Sequence, residues 1–273
     1  MHPETRLSPD MDAMLPPGRM ITSDEGDGDM QPLWLSDGPV SAELWSRLRA
    51  EHVTSGLWPL LLDSRTPGGD SEFRPWASGE LFPESMSSPD AHDPAELLAR
   101  WWQAYTRIDE DDDQRAAEDR LSVTAPFGSA WPGTAPARTL ATDPDAMAAH
   151  YAQIFTAQRP LSCLGLVAAR CGADALAAVG WEGAANYDND TATYSAVIRD
   201  WEQRFGVRVV AVGSDTLHLS VAAPPTRIED ALLVAAEHFA FCPDTIWQGA
   251  RAYTLAAYAD RIVDVNCWEF WWD

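Results

Sequence analysis

The segment 207–222, VRVVAVGSDTLHLSVA, decides the fold because it contains two strand-forming runs joined by a tight turn. Its first run, 207–213, is apolar at nearly every position, which is typical of a central strand. The small and polar residues at 213–215 then form a turn of the kind that joins antiparallel strands. In the second run, 216–222, apolar and polar residues alternate, which indicates a strand with one buried face. The segment therefore predicts an antiparallel hairpin within a sheet.

Apolar runs and helical patterns alternate on both sides of this hairpin. Upstream, a buried strand is predicted at 161–169, followed by a short helix at 173–179 and a longer helix after Asp190. Downstream, two more helices precede the aromatic run CWEFWWD at 267–273, whose composition favours a strand. The order β-α-α-β-β-α-α-β predicts the α+β class, with a short, partly antiparallel sheet covered by helices.

The chain upstream of this region is predicted to have three parts. Residues 1–30 are rich in Pro, Gly and Asp and are predicted to be mobile, because they bury too little apolar surface to offset their ordering entropy. Residues 31–120 are predicted to form an α/β region, in which Pro59 favours an edge position or a strand start for the apolar run LWPLLL. Residues 121–159 are predicted to be an extended connection with a short helix, and 160–273 the C-terminal α+β domain.

The charge balance excludes several classes of partner and mechanism. The chain has 19 arginines, no lysine and 42 carboxylate side chains, which give a net charge of −23. Nucleic acids and anionic membranes are bound by clustered cations, so neither is expected as a partner. Without lysine the chain has neither the amine of a Schiff-base enzyme nor the lysine of a P-loop. The acidic surface instead favours a basic protein as partner, and the oligomeric state is left open.

Location and cofactors are predicted from what the sequence lacks. No stretch approaches the roughly 20 apolar residues of a membrane span, and the first residues have no apolar signal core, so a cytoplasmic protein is expected. The sequence contains no CxxC pair, no HExxH and no glycine-rich loop between a strand and a helix, so no metal and no other cofactor is expected. Reduced thiols are expected for the four irregularly spaced cysteines, Cys163, Cys171, Cys242 and Cys267.

Several blocks of the C-terminal half together resemble a known family. The blocks are LSCLGLVAA at 161–169, GWEGAANYDND at 180–190, VRVVAVGSDTLHLSVAAPP at 207–225, AAEHFAFCPDTIWQG at 235–249 and CWEFWWD at 267–273. Their combination resembles the bacterial domain-of-unknown-function family DUF4253 over residues 160–273. The upstream blocks LWLSDGPVSAELW and GLWPLLLDS resemble the N-terminal region of actinobacterial members. The resemblance implies a fold and no activity, and it carries over no site residue.

Four polar residues are candidates for catalysis in a small-molecule hydrolase or transferase. His238 and Cys242 are four positions apart, which places imidazole and thiol on one helical face if the helix continues. Such a thiol can become an activated nucleophile, with Asp244 as a further acid–base group. The alternative is that Cys242, just before Pro243, belongs to the core. His218 lies on the polar face of the second hairpin strand, where it is either solvated or part of a pocket.

Aromatic residues near residue 273 are candidates for binding a partner, in a chain with 13 tryptophans. Alternate residues of a strand point to opposite faces, so one face of the terminal strand belongs to the core. The other face is either core or an exposed aromatic patch rimmed by carboxylates, which suits a basic partner. Immunity proteins against basic nuclease toxins have such surfaces, which is an analogy only. The candidate residues are Trp247, Trp268, Glu269, Trp271, Trp272 and Asp273.

Overall fold

Seven strands form one mixed sheet in the computed structural model, which describes residues 13–26, 28–64, 73–107, 121–248 and 254–273. The strands are β1 Gly18–Ile21, β2 Leu33–Pro39, β3 Leu57–Leu62, β4 Cys163–Ala168, β5 Val207–Val212, β6 Thr216–Val221 and β7 Cys267–Trp271. The α-helices are α1 Ala42–Ser55, α2 Pro94–Thr106, α3 Pro144–Gln158, α4 Gly172–Val179, α5 Thr191–Phe205, α6 Ile228–Phe241, α7 Asp244–Trp247 and α8 Leu255–Ile262. Across the described ranges, no helix combines the length and the apolar character needed to cross a membrane.

The strands of the two halves of the chain interleave. Their order is β1-β2-β4-β3-β5-β6-β7, so β4 lies between two strands of the N-terminal half. Neighbouring strands are antiparallel except β3 and β5, which are parallel. The predicted hairpin is β5–β6, with Val207 opposite Val221 and Val212 opposite Leu217. The sheet is therefore wider than the short C-terminal sheet that the sequence indicated.

The predicted α+β class is confirmed. In the C-terminal half the order is β4-α4-α5-β5-β6-α6-α7-α8-β7. This is the predicted order with the one-turn helix α7 added between the last two helices. The extra turn follows Pro243, which has no N–H to continue the hydrogen-bond ladder of α6 and instead starts a new turn.

The N-terminal region differs in detail from the sequence expectations. Of the segment 1–30, residues 1–12 lie outside the described residues, while β1 pairs with β2 and places Met20 opposite Trp34. An edge strand of this kind is held by backbone hydrogen bonds, which its composition does not reveal. In the connection 121–159, α3 is 15 residues long rather than short, and Asp143 caps its first turn.

Pro59 lies in β3, between β4 and β5, and not at an edge of the sheet. The ladder between β3 and β5 includes only Leu61 and Leu62 on the β3 side, so a proline two residues earlier interrupts no bond to β5. The Pro59 carbonyl oxygen accepts a hydrogen bond at 3.0 Å from the indole N–H of Trp45 in α1. The expected edge position was wrong, because β3 is an interior strand whose short ladder with β5 tolerates proline; Pro59 is the third residue of β3, close to the strand start that was the alternative.

Helices cover both faces of the sheet. Helices α2, α4, α5, α6 and α8 contribute to the larger core, and α1 and α3 to the smaller core on the opposite face. Successive residues of β3 alternate between them, since Leu60 and Leu62 belong to the larger core and Leu61 to the smaller. In the larger core Trp201 of α5 stacks on Phe270 of β7, with ring centroids 5.6 Å apart. Two-sided coverage explains why β3 is buried at every position.

Candidate functional site

His238 lies in the larger core and is completely buried. Its Nδ1 is 2.9 Å from the hydroxyl oxygen of Tyr258, and its ring packs against Trp268 with centroids 4.4 Å apart. Burial, together with the positive charge of Arg204, lowers the pKa of His238 to about 3. The imidazole is therefore neutral at pH 7 and packed among aromatic rings.

Cys242, the second catalytic candidate, is a core thiol. Its Sγ donates to the carbonyl oxygen of Trp271 at 3.0 Å and accepts from the hydroxyl of Thr245 at 3.2 Å. Burial raises the pKa of the thiol to about 12, so it stays protonated at pH 7. The geometry favours the core alternative, because a nucleophilic cysteine acts as the thiolate. All four cysteines of the chain are free thiols, and Cys171 and Cys267 are partly buried.

Asp244, the acid–base candidate, fastens the chain downstream of β7. It is 1% exposed, and its carboxylate accepts hydrogen bonds from the hydroxyl of Tyr187 at 2.7 Å and from the backbone N–H of Asp273 at 3.1 Å. The side-chain amide of Gln248 donates a third bond at 2.9 Å. These contacts give Asp244 a structural role.

His218 lies on the opposite face of the sheet from His238. It faces α3, where its ring packs against Phe155 with centroids 4.8 Å apart and its Nδ1 lies 3.3 Å from the Tyr151 hydroxyl oxygen. It is 6% exposed, so the expectation of a solvated histidine was wrong: α3 covers this face. Because the sheet separates the two histidines, they share no cleft, and the four catalytic candidates do not form one site.

The burial of β7 alternates as predicted. Trp268 and Trp272 are 1% and 2% exposed, because α5 and α6 cover their face of the sheet. They belong to the core, so their assignment to an exposed binding patch is corrected. Of the other candidates, Trp247 and Trp271 are half-buried, while Glu269 and Asp273 are exposed.

A cleft of about 410 Å³ lies at the edge of the sheet where β5 and β7 end. Because β3 is parallel to β5, it also ends at this edge, which is where open α/β sheets usually bind ligands. The walls are the β5–β6 turn, the loop between α4 and α5, the segment after β3 and the residues after β7. The charged residues of the lining are Arg74, Glu80, Glu182, Asp215 and Asp273.

The cleft has excess negative charge. Arg74 is the one cationic side chain among the described residues that line it, and it is paired with Glu80. Burial, together with the negative charge of Glu25, raises the pKa of Glu182. Within the described ranges, no three His, Cys, Asp or Glu side chains converge as metal ligands. The described carboxylates of the lining therefore do not converge on one point.

A second cleft, of about 630 Å³, lies beside β1 and β2. Its walls include the half-buried Phe73, the exposed Leu161 and the buried Cys163. Its charged residues Arg19 and Asp37 form an ion pair at 2.8 Å. Among its described lining residues the charges therefore balance, and burial raises the pKa of the Cys163 thiol, which keeps it protonated at pH 7.

Of the residues that line the 410 Å³ cleft, called the acidic cleft below, only Trp272 and Asp273 are predicted as site residues from the sequence. Asp215 was assigned to the hairpin turn, and Glu182 lies in the block GWEGAANYDND that carried the family resemblance. Four distant segments supply the lining, and no local pattern marks their convergence.

Comparison with known proteins locates a family in the C-terminal half. A search of curated proteins and a search of solved structures each found no match. Among family models, residues 163–273 match the one described as "Domain of unknown function (DUF4253)". The match begins at β4 and includes β5, β6 and β7. It therefore also includes Glu182, Asp215 and Asp273, which line the cleft. Over residues 163–273, the chain is therefore similar to the DUF4253 family.

Proposed function

We propose that this protein is a binding module for a basic protein partner and that the acidic cleft is its contact site. The observation that carries the proposal is a 410 Å³ cleft whose described lining residues include four carboxylate side chains and one arginine that is already paired. The net charge of −23 adds a long-range attraction for cations. Complementary charge of this kind speeds association and discriminates between partners.

The walls of the cleft also suit an inserted side chain. The half-buried Phe82 and Pro75 line it beside the carboxylates, so a cationic side chain would meet apolar and aromatic surface as well as charge. An aromatic face attracts a cation within about 6 Å of its centre. An acidic immunity protein that neutralises a basic toxin would use such a contact, which is an analogy only.

The catalytic alternative has weaker support. A hydrolase or transferase acting through His238 and Cys242 needs a substrate within reach of both groups, and both are completely buried. The cleft itself offers Ser214, whose hydroxyl lies 3.2 Å from an Asp215 oxygen. Among its described lining residues there is no histidine or cysteine to act as base or nucleophile.

Affinity capture with a matched pair of variants tests the proposal. Wild type, Glu182→Gln/Asp215→Asn and the control Glu43→Gln/Asp260→Asn are immobilised and exposed to lysate of the source cell. Both variants remove two negative charges, but Glu43 and Asp260 are exposed on helices and do not line the cleft. The lysate is applied at about 50 and 500 mM salt, because screening weakens charge-steered contacts.

A basic protein retained at low salt by wild type and control, and lost from the cleft variant, is the expected result. Binding that is insensitive to salt, equal retention by the cleft variant, or no retained basic protein would each contradict the proposal.

A further inference from the structure

We propose that Arg74 is an internal competitor for the acidic cleft: its guanidinium occupies Glu80 in the way that an arginine of the partner would. The inference rests on the proposed function and names the group that the cleft recognises. It is carried by the geometry of a single ion pair in the wall of the cleft.

Arg74 and Glu80 meet side-on. The Nε of Arg74 donates to Oε2 of Glu80 at 2.8 Å, and its Nη2 donates to Oε1 of the same carboxylate. The hydroxyl of Ser78 lies 3.0 Å from both Oε2 of Glu80 and the carbonyl oxygen of Pro75, so its one proton is shared between these two acceptors. A planar guanidinium supplies two parallel donors to one carboxylate, whereas an ammonium acts as a single point charge. This wall is therefore arranged to accept a guanidinium.

The pair is accessible to a competing cation. The side chains of Arg74 and Glu80 are 47% and 32% exposed, and ion pairs at such exposure are weak. A partner's arginine can replace Arg74 on Glu80 without leaving the carboxylate unpaired. This exchange lowers the affinity for a cation that binds at Glu80, so a partner with several contacts is favoured over a single cation.

Removing the competitor should strengthen binding. In Arg74→Gln, Glu80 loses the guanidinium that competes with the ligand and the cleft loses the positive charge of Arg74, so we expect an arginine peptide to bind about three- to fivefold more tightly, in line with the strength of exposed ion pairs. Arg19→Gln is the matched control, because it also removes one positive charge from an exposed pair, Arg19–Asp37, beside β1. Arg74→Lys keeps the positive charge but cannot donate two parallel hydrogen bonds to Glu80. Its affinity for the arginine peptide should therefore lie between those of wild type and Arg74→Gln.

The experiment measures the binding of fluorescein-labelled hexa-arginine and hexa-lysine by anisotropy at about 50 mM salt, where charge contacts are weakly screened. Circular dichroism and thermal melts establish that each variant is folded. The expected result is a gain for Arg74→Gln that Arg19→Gln does not show. Glu80→Gln should weaken the binding of hexa-arginine and bring its affinity closer to that of hexa-lysine.

Two negative outcomes separate this inference from the proposed function. Arg74→Gln and Arg19→Gln could bind hexa-arginine with equal affinity while Glu182→Gln/Asp215→Asn binds it more weakly than wild type. This result would contradict the role of Arg74 as a competitor and leave the cleft as the binding site. Hexa-arginine binding that is equal in Glu182→Gln/Asp215→Asn and Glu43→Gln/Asp260→Asn would overturn the cleft and this inference with it. If Arg74→Gln does not fold, the binding of hexa-arginine by Arg74→Lys and Glu80→Gln tests the inference instead. An Arg74→Lys variant that binds hexa-arginine no more tightly than wild type would contradict the role of Arg74 as a competitor.

Discussion

The indole N–H of Trp58 in β3 donates a hydrogen bond at 3.1 Å to the carbonyl oxygen of Val209 in β5, 151 residues further along the chain. This bond lies just before the β3–β5 ladder, in which Leu61 is opposite Ala211. Gly172 at the start of α4 also packs on this indole, since a Cβ there would lie 2.6 Å from the ring. The N-terminal half thus supplies the strand that joins the two parts of the sheet.

We therefore predict that residues 160–273 do not fold alone. In this fragment β4 would lose both neighbouring strands, and β5 would lose β3. The exposed apolar edges should cause aggregation. Circular dichroism and size-exclusion chromatography of the fragment check this, with residues 13–273, which keep all seven strands, as the control. A monomeric fragment with a cooperative melt would show that the C-terminal half is an independent domain.

Local periodicity predicted the elements well but not their neighbours. The β5–β6 hairpin and the alternation of β7 follow from side-chain patterns within one segment, and the structure has both. The position of β4 between β2 and β3 depends on pairing between distant segments, which leaves no mark in either. Pro59 shows the same limit of local patterns. The stability that a proline costs a strand depends on whether the hydrogen-bond ladder with the neighbouring strand includes that position, and the ladder between β3 and β5 does not include Pro59.

The site was harder to predict than the fold. Spacing placed His238 and Cys242 on one turn of a helix, but burial decides their chemistry, and spacing does not report burial. Glu182 and Asp215 are two of the 42 carboxylate side chains in the chain, and only the convergence of their loops distinguishes them from the others.

We predict that Glu237→Ala destabilises the protein by about 3–5 kcal/mol, the usual cost of removing one partner of a buried ion pair. Glu237 is completely buried, and its carboxylate accepts bonds from Arg204 at 2.5 and 3.0 Å and from the indole of Trp201 at 2.7 Å. Chemical denaturation measures the change. Asp37→Ala removes an exposed pair with Arg19 and should cost less than about 1 kcal/mol. Equal costs for the two variants would mean that Asp200, which also pairs with Arg204 at 2.5 Å, compensates for the lost carboxylate.

Burial of neutral His238 predicts a stability that falls as the pH falls. Its pKa in the folded protein is about 3, whereas an unfolded histidine has a pKa near 6.5. Below pH 6.5 the unfolded chain therefore binds a proton that the folded protein does not, and stability is lost at up to about 1.4 kcal/mol per pH unit until the pH reaches about 3. Denaturation between pH 7 and 4.5 measures this slope.

His238→Phe and the exposed-site control His150→Gln isolate the contribution of this residue. His238→Phe removes the titration and keeps a ring in the core, so its stability should depend less steeply on pH than that of wild type. His150→Gln should retain the wild-type slope. A wild-type slope in His238→Phe would assign the pH dependence to other groups, among them His218, whose pKa burial also lowers.

Cation binding at the cleft should weaken as the pH falls, and Glu182 should be the cause. Burial and the charge of Glu25 raise the pKa of Glu182, so this carboxylate takes up a proton at a higher pH than an ordinary glutamate. A cation binds the charged form, so the affinity is complete above the raised pKa and declines as the pH falls through it. The affinity of hexa-arginine between pH 7.5 and 5 measures the decline, and Glu182→Gln, which has no proton to take up, should bind more weakly at pH 7.5 and change less with pH. An equally steep profile in Glu182→Gln would place the titrating group elsewhere in the cleft.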